Sequence, residues 1–556
     1  MNLTINALRN EIIGNSKEIQ TPYGRRLLTY ADYTASGRTV HFIEKYLLNL
    51  QESYANSHTE DSYTGKAMTT YLHQAENRIK ALLHATDDHY VIPVGTGSTG
   101  AIQKLCEILG LYVPPKLDHY LEGTLEAHVK QAPVVFIGPY EHHSNDLIWR
   151  ESIAEVVTIA LNKEGGIDLN DLKLKLQQPQ YNNRLKIGSF SAASNVSGVK
   201  SPLYEIAEIL HAHDALACFD FAASGPYVEI NMNYNAVSYF DAIYLSPHKF
   251  LGGPGSSGLL VIKKNIYDCT LAPTVAGGGT VDYVSSFGYD FTSDPESREK
   301  AGTPGILQIL KTCLAMELKA EIGPEKIETI ERQYIAIVMG HLSENSNIEI
   351  LGPMDPNKRI SILSFNIKYK DRYLHHRFVA RLLNDLFGIQ SRAGCACAGP
   401  YGHALLGIDR NTSEIFRDFI SKGTHSLKPG WVRVNFHYAM SSEQVKFIID
   451  AIHFVADFGY LFLQDYQLDR KSGAWTPKHF NMENTISPFG LRTALDDPEQ
   501  TWPEKSSSTH ASAYKQYMDQ AHLLACKLKK TFYPSFQFYD DAIMESNRWF
   551  YILNMI

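Results

Sequence analysis

Seven short apolar runs alternate with helix-like segments between about residues 90 and 265, and this alternation limits the folds open to the chain. The runs are residues 90–94, 134–137, 156–159, 185–190, 217–220, 242–245 and 259–262. Two intervening segments, 98–109 and 202–213, carry apolar residues at helical spacing. The pattern predicts an α/β fold with a large three-layer domain, in which helices cover both faces of a mostly parallel seven-stranded sheet.

A second region, from about residue 335 to 465, repeats this mixture on a smaller scale. Its candidate strands are residues 360–367 and 431–436, and its candidate helices are residues 374–387 and 442–457. We therefore expect a smaller α+β domain. The predicted division is an N-terminal segment, a large domain, this small domain and a C-terminal extension, which span residues 1–30, 31–334, 335–465 and 466–556.

The C-terminal extension is predicted to pack and to contain a helix. Polar stretches at residues 469–478 and 503–509 are typical of connectors. The apolar residues that follow keep to one helical face, namely Tyr514, Tyr517, Met518, Ala521, Leu524, Ala525 and Leu528. Such a face needs a surface to cover it, so we expect a packed segment and not a disordered one.

Charge and cysteine content argue against several classes of protein. The 556 residues carry a formal net charge of −8, which gives no electrostatic reason to expect nucleic acid or an anionic membrane as a partner. The seven cysteines are odd in number and scattered, which favours a reducing compartment over a disulfide framework. The chain shows neither a signal-peptide pattern nor an apolar stretch of membrane-spanning length, so we expect a cytoplasmic protein.

Lys249 lies between two predicted core strands, residues 241–246 and 258–262, in a turn rich in glycine. A lysine in a partly desolvated pocket has a lowered pKa and can act as an amine nucleophile, as a Schiff base with pyridoxal phosphate requires. The alternative is a lysine in a tight hairpin whose ammonium simply reaches water.

A second candidate feature is the glycine-rich stretch at residues 95–101, which follows a predicted strand and opens a predicted helix. Backbone amides at a helix N-terminus, with the hydroxyls of Ser98 and Thr99, can bind a phosphate. The spacing matches neither a dinucleotide fingerprint nor a P-loop. An ordinary glycine-rich helix start remains an equal interpretation.

Polar residues follow three more of the predicted strands. Asp220 ends a buried strand, where a carboxylate needs a cation such as a protonated pyridine nitrogen, although it could also cap the next turn. His142 or His143 could stack on a flat ring, and no spaced carboxylate or cysteine completes a metal site with them. Asn195 offers an amide to a cofactor or substrate, or stabilises its own turn.

These signals occur in one order, and together they resemble the class V aminotransferase-type pyridoxal phosphate enzymes. Within that group the chain is most similar to the cysteine desulfurases and selenocysteine lyases. The resemblance runs from about Asp32 to Ala451. Its motifs are residues 31–36, 56–58, 97–99, 141–143, 194–195, 246–249 and 301–304, together with Asp220.

The resemblance implies a role for each of these motifs. Lys249 would bind pyridoxal phosphate covalently and later remove the substrate Cα proton, Asp220 would pair with the pyridine nitrogen, and His142 would stack on the ring. Substrate contacts would come from Asn195, which also contacts the cofactor, and from His58. Phosphate contacts would come from Ser98, Thr99, Ser246 and His248, and from Thr303 of a neighbouring subunit, which implies a homodimer with shared active sites.

The segment from Arg392 to Cys397 carries the part of the resemblance that concerns sulfur chemistry. By its spacing after an arginine and a glycine, Cys397 is similar to the nucleophilic cysteine of the desulfurases. Cys395 is extra, and the pair could instead be a redox couple, half a metal site or a structural thiol pair. Arg433, in an apolar strand, resembles the arginine that clamps the substrate carboxylate, with Arg392 as its neighbour.

The implied activity is removal of sulfur from L-cysteine, giving alanine and a persulfide on the enzyme, with a sulfur-acceptor protein as a partner. Two alternatives stay open: another class V enzyme (a lyase, an epimerase, a kynureninase-like enzyme or an aminotransferase) that uses no persulfide, and a non-catalytic binding protein. The chain departs from the family pattern at Ala223, where a glutamine is expected, and the extension beyond about residue 466 has no family counterpart.

Overall fold

The computed structural model describes residues 4–57, 59–95, 97–124, 129, 131–496 and 510–553. Two predictions lie outside these residues: His58 as a substrate ligand, and the polar connector at residues 503–509.

The strands are numbered in chain order. They are β1 Glu18–Thr21, β2 Gly24–Leu27, β3 Thr29–Tyr30, β4 His89–Val94, β5 Val134–Ile137, β6 Glu155–Thr158, β7 Lys186–Ser191, β8 Ala215–Asp220, β9 Ala242–Leu245, β10 Gly258–Lys263, β11 Val281–Ser285, β12 Gly288–Phe291, β13 Ile348–Ile350, β14 Ile362–Tyr369, β15 Arg372–Tyr373, β16 Ile389–Gln390, β17 Arg392–Gly394, β18 Trp431–Asn435, β19 Tyr466–Leu468 and β20 Trp475–Pro477.

The α-helices are numbered in the same way. They are α1 Ile5–Glu11, α2 His41–Gln51, α3 Tyr63–Leu82, α4 Gly97–Ile108, α5 Leu117–Tyr120, α6 Leu147–Arg150, α7 Leu169–Leu176, α8 Leu203–His211, α9 Pro295–Arg298, α10 Ile306–Ile322, α11 Pro324–Ser343, α12 His376–Phe387, α13 Gly399–Leu405, α14 Arg410–Ser421, α15 Ser442–Phe458, α16 Leu491–Asp496, α17 His510–Thr531 and α18 Ala542–Ser546. Among the described residues, no helix combines the length and the apolar character needed to cross a membrane.

The described chain forms two compact units. The first contains Tyr33–Ile330 and Asn357–Ile360, and the second contains Thr4–Asp32, Glu331–Pro356 and the chain from Ser361 onward. The four-part division expected from the sequence stays a prediction.

A seven-stranded sheet forms the centre of the first unit, in the order β4, β10, β9, β8, β7, β5, β6. Neighbouring strands from β9 to β6 run parallel, and β10 runs antiparallel to both of its neighbours. The predicted α/β fold with a mostly parallel seven-stranded sheet is therefore confirmed. Residues that follow the parallel strands meet at one edge of the sheet, where α/β proteins bind their ligands.

Apolar side chains on both faces hold this sheet in place. All four residues of β5 are buried, as expected for a strand covered by helices on both sides. One core cluster joins strands and helices through Ile92, Leu105, Val135, Trp149, Tyr244 and Leu260. Each such buried side chain stabilises the fold by roughly 1.5–3 kcal/mol.

The second unit is built on an antiparallel sheet in the order β13, β14, β18, β17. The N-terminal residues join this unit through β3, which pairs in parallel with β16 in a separate two-stranded sheet. Gly388, between α12 and β16, has a φ of +73°, and a Cβ there would lie 2.1 Å from the Leu27 carbonyl oxygen. The close approach of this N-terminal chain therefore requires a glycine at the end of α12.

The C-terminal extension packs within the second unit. On α17, the ring of Tyr514 stacks on Phe447 with centroids 4.0 Å apart. The Leu27 amide donates to the Tyr517 hydroxyl at 3.1 Å. Both tyrosines belong to the apolar face that the sequence predicts, so the face covers α15 and the strand β2.

Candidate active site

Lys249 ends a short 3-10 turn, Pro247–Lys249, between β9 and β10. Its amide donates to the Ser246 carbonyl at 3.0 Å. The His248 carbonyl accepts from the Gly37 amide at 2.9 Å and from the Ser36 hydroxyl at 3.1 Å. Lys249 thus lies between two core strands, as the sequence predicts. Hydrogen bonds within the turn and from residues 36 and 37 hold the turn in place.

Asp220 is the last residue of β8 and is 4% exposed. Burial raises the pKa of its carboxyl, while the Ala222 amide at 2.8 Å from Oδ1, the charge of Lys249 and a hydrogen bond from the Ser98 side chain act in the opposite direction. A buried carboxylate of this kind favours a cationic ligand.

Ser98 and Ser246 meet at the N-terminus of α4. The Ser98 amide donates to the Ser246 Oγ at 2.9 Å, and the Ser246 hydroxyl donates to the Ser98 Oγ at 3.1 Å. Gly97 has a φ of +58°, and a Cβ there would lie 2.7 Å from the Ser246 Oγ. Hydroxyls at a helix N-terminus, approached by a backbone without a side chain, form a site suited to phosphate.

His142 lies in the loop that follows β5. Its Nδ1 accepts from the Ser144 amide at 3.1 Å, so the neutral ring carries its proton on Nε2. The Ser144 Oγ also forms a 2.7 Å hydrogen bond with the Thr99 Oγ1. Ser144, which the sequence analysis did not single out, thus joins two of the predicted cofactor residues.

His248 is half-buried in the Lys249 turn. Burial, reinforced by the charge of Lys249, lowers the pKa of His248 to about 4. The ring is therefore neutral at physiological pH, so it can offer a hydrogen bond but not a positive charge.

Two predicted residues, Asn195 and Thr303, lie in the turns and loops of the first unit. Asn195 is buried in the turn after β7, where the Ser194 Oγ accepts from the Val196 and Ser197 amides. Thr303 is exposed and accepts a 3.0 Å hydrogen bond from the Asn56 amide group. Its exposure leaves its hydroxyl accessible to a neighbouring subunit.

The family glutamine is replaced by the buried Ala223, which has no polar group. The adjacent Ser224 is 1% exposed, and its hydroxyl has no hydrogen-bond partner among the described residues. A buried hydroxyl without a partner is costly, and a ligand group could satisfy it.

Glu141 is a site residue whose role the sequence analysis missed. Its carboxylate accepts four hydrogen bonds, from the Gly138 amide, the Ser191 amide, the Ser191 hydroxyl and the Asn145 amide group, at 3.1, 2.9, 2.6 and 2.7 Å. It thereby ties the loop that carries His142 to β7. The only sequence signal was an acidic residue directly before the histidine pair.

The pH dependence of stability tests this placement of Glu141. Burial raises the pKa of Glu141 from 4.5 to about 7, so the folded protein binds a proton more tightly than the unfolded chain does. The contribution of Glu141 to stability is therefore complete below pH 4.5 and is lost by about 1.4 kcal/mol per pH unit as the pH rises towards 7. Thermal midpoints between pH 5 and 8 should therefore fall less in Glu141→Gln than in the parent. The exposed control Glu164→Gln should follow the parent, and parallel slopes for all three proteins would refute the assignment.

In the second unit, β17 and β18 place Arg392 opposite Arg433 in register. Arg433 is 2% exposed, and its Nη2 donates to the Asp32 Oδ1 at 2.9 Å. The anion that burial of this arginine requires is therefore supplied by the chain itself. Burial of Arg433 alone does not argue for a substrate carboxylate, and its substrate role stays a prediction.

The loop after β17 presents the two neighbouring cysteines. Cys395 and Cys397 are both half-buried free thiols. The Arg392 Nη2 donates to the Cys397 Sγ at 3.7 Å. Ala396 and Cys397 have φ values of 49° and 57°, a left-handed backbone that residues other than glycine seldom adopt. The Cys397 thiol is therefore held in a strained loop and in contact with a guanidinium.

The residues of the first unit fit pyridoxal phosphate. They combine a lysine amine in a fixed turn, a buried carboxylate for the pyridine nitrogen, a helix N-terminus with hydroxyls for the phosphate and a neutral histidine. At Gly97 the backbone lies so close to the Ser246 hydroxyl that a Cβ would collide with it. This close packing of backbone and hydroxyl at the helix N-terminus supports the same fit. Among the described residues, no group of three or more His, Cys, Asp or Glu side chains is placed to hold a metal ion.

Comparison with known proteins identifies the family. The model of the Aminotransferase class-V family matches residues 29–448. A probable cysteine desulfurase of Halalkalibacterium halodurans is 28% identical over 378 residues, which cover 67% of this chain and 84% of that protein. A probable cysteine desulfurase of Pyrococcus abyssi is 30% identical over 280 residues, which cover 50% of this chain and 66% of that protein.

Two solved structures share the fold. The apo cysteine desulfurase from Thermococcus onnurineus NA1 has a TM-score of 0.64 at 23% identity, covering 81% of this chain and 98% of that one. The cysteine desulfurase CsdA from Escherichia coli has a TM-score of 0.61 at 20% identity, covering 82% of this chain and 99% of that one. With the site described above, these matches show that the chain belongs to the class-V aminotransferase family and is a pyridoxal phosphate-dependent enzyme.

Proposed function

We propose that the chain is a cysteine desulfurase, which takes sulfur from L-cysteine, releases alanine and keeps the sulfur as a persulfide on Cys397. The observation that carries the proposal is the Arg392 guanidinium 3.7 Å from the Cys397 Sγ. A lyase or aminotransferase on the same scaffold needs no activated thiol. The relatives named as probable cysteine desulfurases support the same activity.

The first unit holds the cofactor in this proposal. Bound pyridoxal phosphate supplies an electron sink that stabilises negative charge at the Cα of an attached amino acid. Lys249 would hold the cofactor through its amine, and its Nζ would remove the Cα proton of the substrate. The buried Asp220 carboxylate keeps a proton on the pyridine nitrogen.

The hydroxyls at the N-terminus of α4 bind the phosphate. Ser98, Ser246 and Thr99 donate hydrogen bonds, and His248 adds one from its neutral ring. Thr303 completes the phosphate site of a second subunit, so the enzyme works as a homodimer. The Thr303 hydroxyl is exposed, which supports this role.

His142 covers one face of the cofactor ring. Because its Nδ1 accepts from the Ser144 amide, the neutral ring carries its proton on Nε2, and we assign exchange of a proton with the substrate to this atom. Ser224, next to the position where the family has a glutamine, offers the cofactor a buried hydroxyl that has no partner among the described residues.

Arg433 and Arg392 bind the substrate carboxylate, with Asn195 and His58 as further contacts. Arg433 donates one Nη2 bond to Asp32, and a guanidinium presents five N–H donors in a planar fork that matches a carboxylate. The Asp32 bond holds the guanidinium in one orientation, which reduces the entropy lost when substrate binds.

The sulfur step balances without another reactant. The Cys397 thiolate attacks the substrate sulfur, an S–S bond forms, and the substrate Cβ–S bond breaks. The electron pair of the broken bond remains on the carbon fragment, where Cβ takes one proton and Cα takes back the proton that Lys249 removed, which gives alanine. The outer sulfur of the persulfide then passes to a nucleophile of a sulfur-acceptor protein.

A substrate panel tests the proposed activity. Purified holoenzyme should form alanine from L-cysteine or L-selenocysteine, with pyruvate, D-amino acids and anthranilate absent from the products. Mass spectrometry of the products of cysteine, alanine, serine and kynurenine makes the comparison directly. Cysteine left intact while another amino acid is converted would refute the desulfurase and favour a different class V reaction.

A further inference from the structure

The C-terminal extension contacts one short segment of the second unit, residues 425–430, which we call the seat. The seat contains the 3-10 turn His425–Leu427 and leads into β18. Four hydrogen bonds join it to three separate parts of the extension: His425 amide to Lys471 carbonyl at 2.9 Å, Ser426 amide to Arg470 carbonyl at 3.3 Å, Ser426 Oγ with Tyr539 hydroxyl at 2.8 Å, and Trp549 Nε1 to Leu427 carbonyl at 3.1 Å.

Trp549 also stacks on the histidine pair at the start of α12. Its ring is 5.2 Å from that of His376 at an interplanar angle of 7°, and 5.1 Å from that of His375 at 25°. His375 Nε2 lies 3.1 Å from the Ser426 carbonyl oxygen. The extension and these histidines therefore hold the seat together.

The seat in turn supports the start of the loop that joins β17 to α13, residues 395–398, which we call the cysteine loop. A Cβ at Gly430 would lie 2.8 Å from the Gly394 carbonyl carbon and 3.0 Å from the His376 Cε1. Gly430 is thus packed between the stacked histidine and Gly394 with no room for a side chain. Gly394 immediately precedes Cys395, so a shift of the seat displaces the beginning of the loop.

The C-terminal end of the cysteine loop leads into α13, which packs against Trp431, the residue directly after the seat. A Cβ at Gly402, on α13, would lie 2.7 Å from two ring atoms of Trp431. Gly394 also pairs with Trp431 across β17 and β18. Residues 430 and 431 therefore support both ends of the loop that holds Ala396 and Cys397 in left-handed conformations.

We propose that the C-terminal extension acts as a clamp on the seat, in which Tyr539 and Trp549 are positioning residues for the Cys397 thiol. This inference rests on the proposed function, which gives Cys397 its chemical role. The left-handed backbone at Ala396 and Cys397 is unfavourable and persists only while its surroundings enforce it. When the clamp is released, the loop relaxes and the Cys397 thiol loses its hydrogen bond from the Arg392 guanidinium.

The rate of alkylation of Cys397 tests the clamp. All proteins carry Cys395→Ser, so that iodoacetamide label on this loop reports Cys397 alone. Tyr539→Phe deletes one oxygen of the clamp, and Trp549→Phe deletes the indole N–H while keeping an aromatic ring. We expect both to shift the pH–rate profile of alkylation to higher pH, with a rate at pH 7 about three- to tenfold lower and an unchanged rate at high pH. Each should slow alanine formation in parallel.

The matched control is Tyr533→Phe, in the same extension, where Tyr533 is 77% exposed. Its pH–rate profile should equal that of the parent. Parent-like profiles for Tyr539→Phe and Trp549→Phe, faster alkylation at every pH, or an equal shift in the control would each overturn the clamp. Alkylation requires no turnover, so a protein that forms no persulfide would refute the desulfurase while leaving the clamp measurable.

Discussion

Replacing Lys249 with alanine should reduce alanine formation from L-cysteine by at least about 10³-fold, because one side chain both binds the cofactor and moves the Cα proton. The turn that holds Lys249 is fixed by hydrogen bonds from the Gly37 amide and the Ser36 hydroxyl to the His248 carbonyl, and these bonds do not involve the lysine side chain. The variant should therefore fold like the parent. Its visible absorbance with added pyridoxal phosphate should lose the band of the covalently bound cofactor.

Lys249→Arg separates the charge of Lys249 from its chemistry. The guanidinium keeps a positive charge near Asp220, but it stays protonated and is a poor nucleophile. We expect this variant to be as inactive as Lys249→Ala. After borohydride treatment of the parent, peptide mapping should find the cofactor on Lys249 alone. Cofactor fixed to another lysine, or activity within tenfold of the parent in either variant, would contradict the assignment.

Replacing Cys397 with serine should reduce sulfur removal by at least about 10³-fold, the scale seen when an enzyme loses its nucleophile. The hydroxyl of serine remains protonated at neutral pH, so it cannot attack the substrate sulfur as a thiolate does. Cofactor absorbance should be unchanged, because the residues proposed to bind the cofactor lie in the first unit and Cys397 lies in the second.

Cys395→Ser is the matched control for this variant. Cys395 is an equally half-buried thiol two residues away, but the bond from Arg392 goes to Cys397. The control should retain most of the parent's rate of alanine formation. Loss of alanine formation in Cys395→Ser alone would identify Cys395 as the nucleophile. Equal losses in the two variants would indicate that the two thiols act as a couple.

The central sheet was predictable because its strands are buried on both faces. The runs 134–137 and 242–245 match β5 and β9 residue for residue, since continuous apolar character marks both ends of such strands. The positions of Lys249, Asp220 and His142 were predictable for a related reason, because polar residues at the ends of buried strands gather at one edge of the sheet, whereas their roles stay predictions.

Features that depend on distant partners were not predictable from the sequence. Glu141 gains its importance from donors on β7, and Arg433 gains its anion from Asp32, which is 401 residues away in the chain. The backbone at Cys397 is left-handed although the residue is not a glycine, so the sequence gives no sign of this conformation. The apolar face of α17 predicted a packed helix, but nothing in its pattern indicates that other parts of the extension contact the seat.

Intact-protein and peptide mass spectrometry after a single turnover tests the central claim most directly. Holoenzyme mixed with less than one equivalent of L-cysteine, and quenched with an alkylating agent that traps persulfides, should carry one additional sulfur atom on Cys397 for each alanine released. Cys397→Ser should carry none and should release little alanine. Alanine released at the parental rate by Cys397→Ser, with sulfide free in solution, would contradict the account.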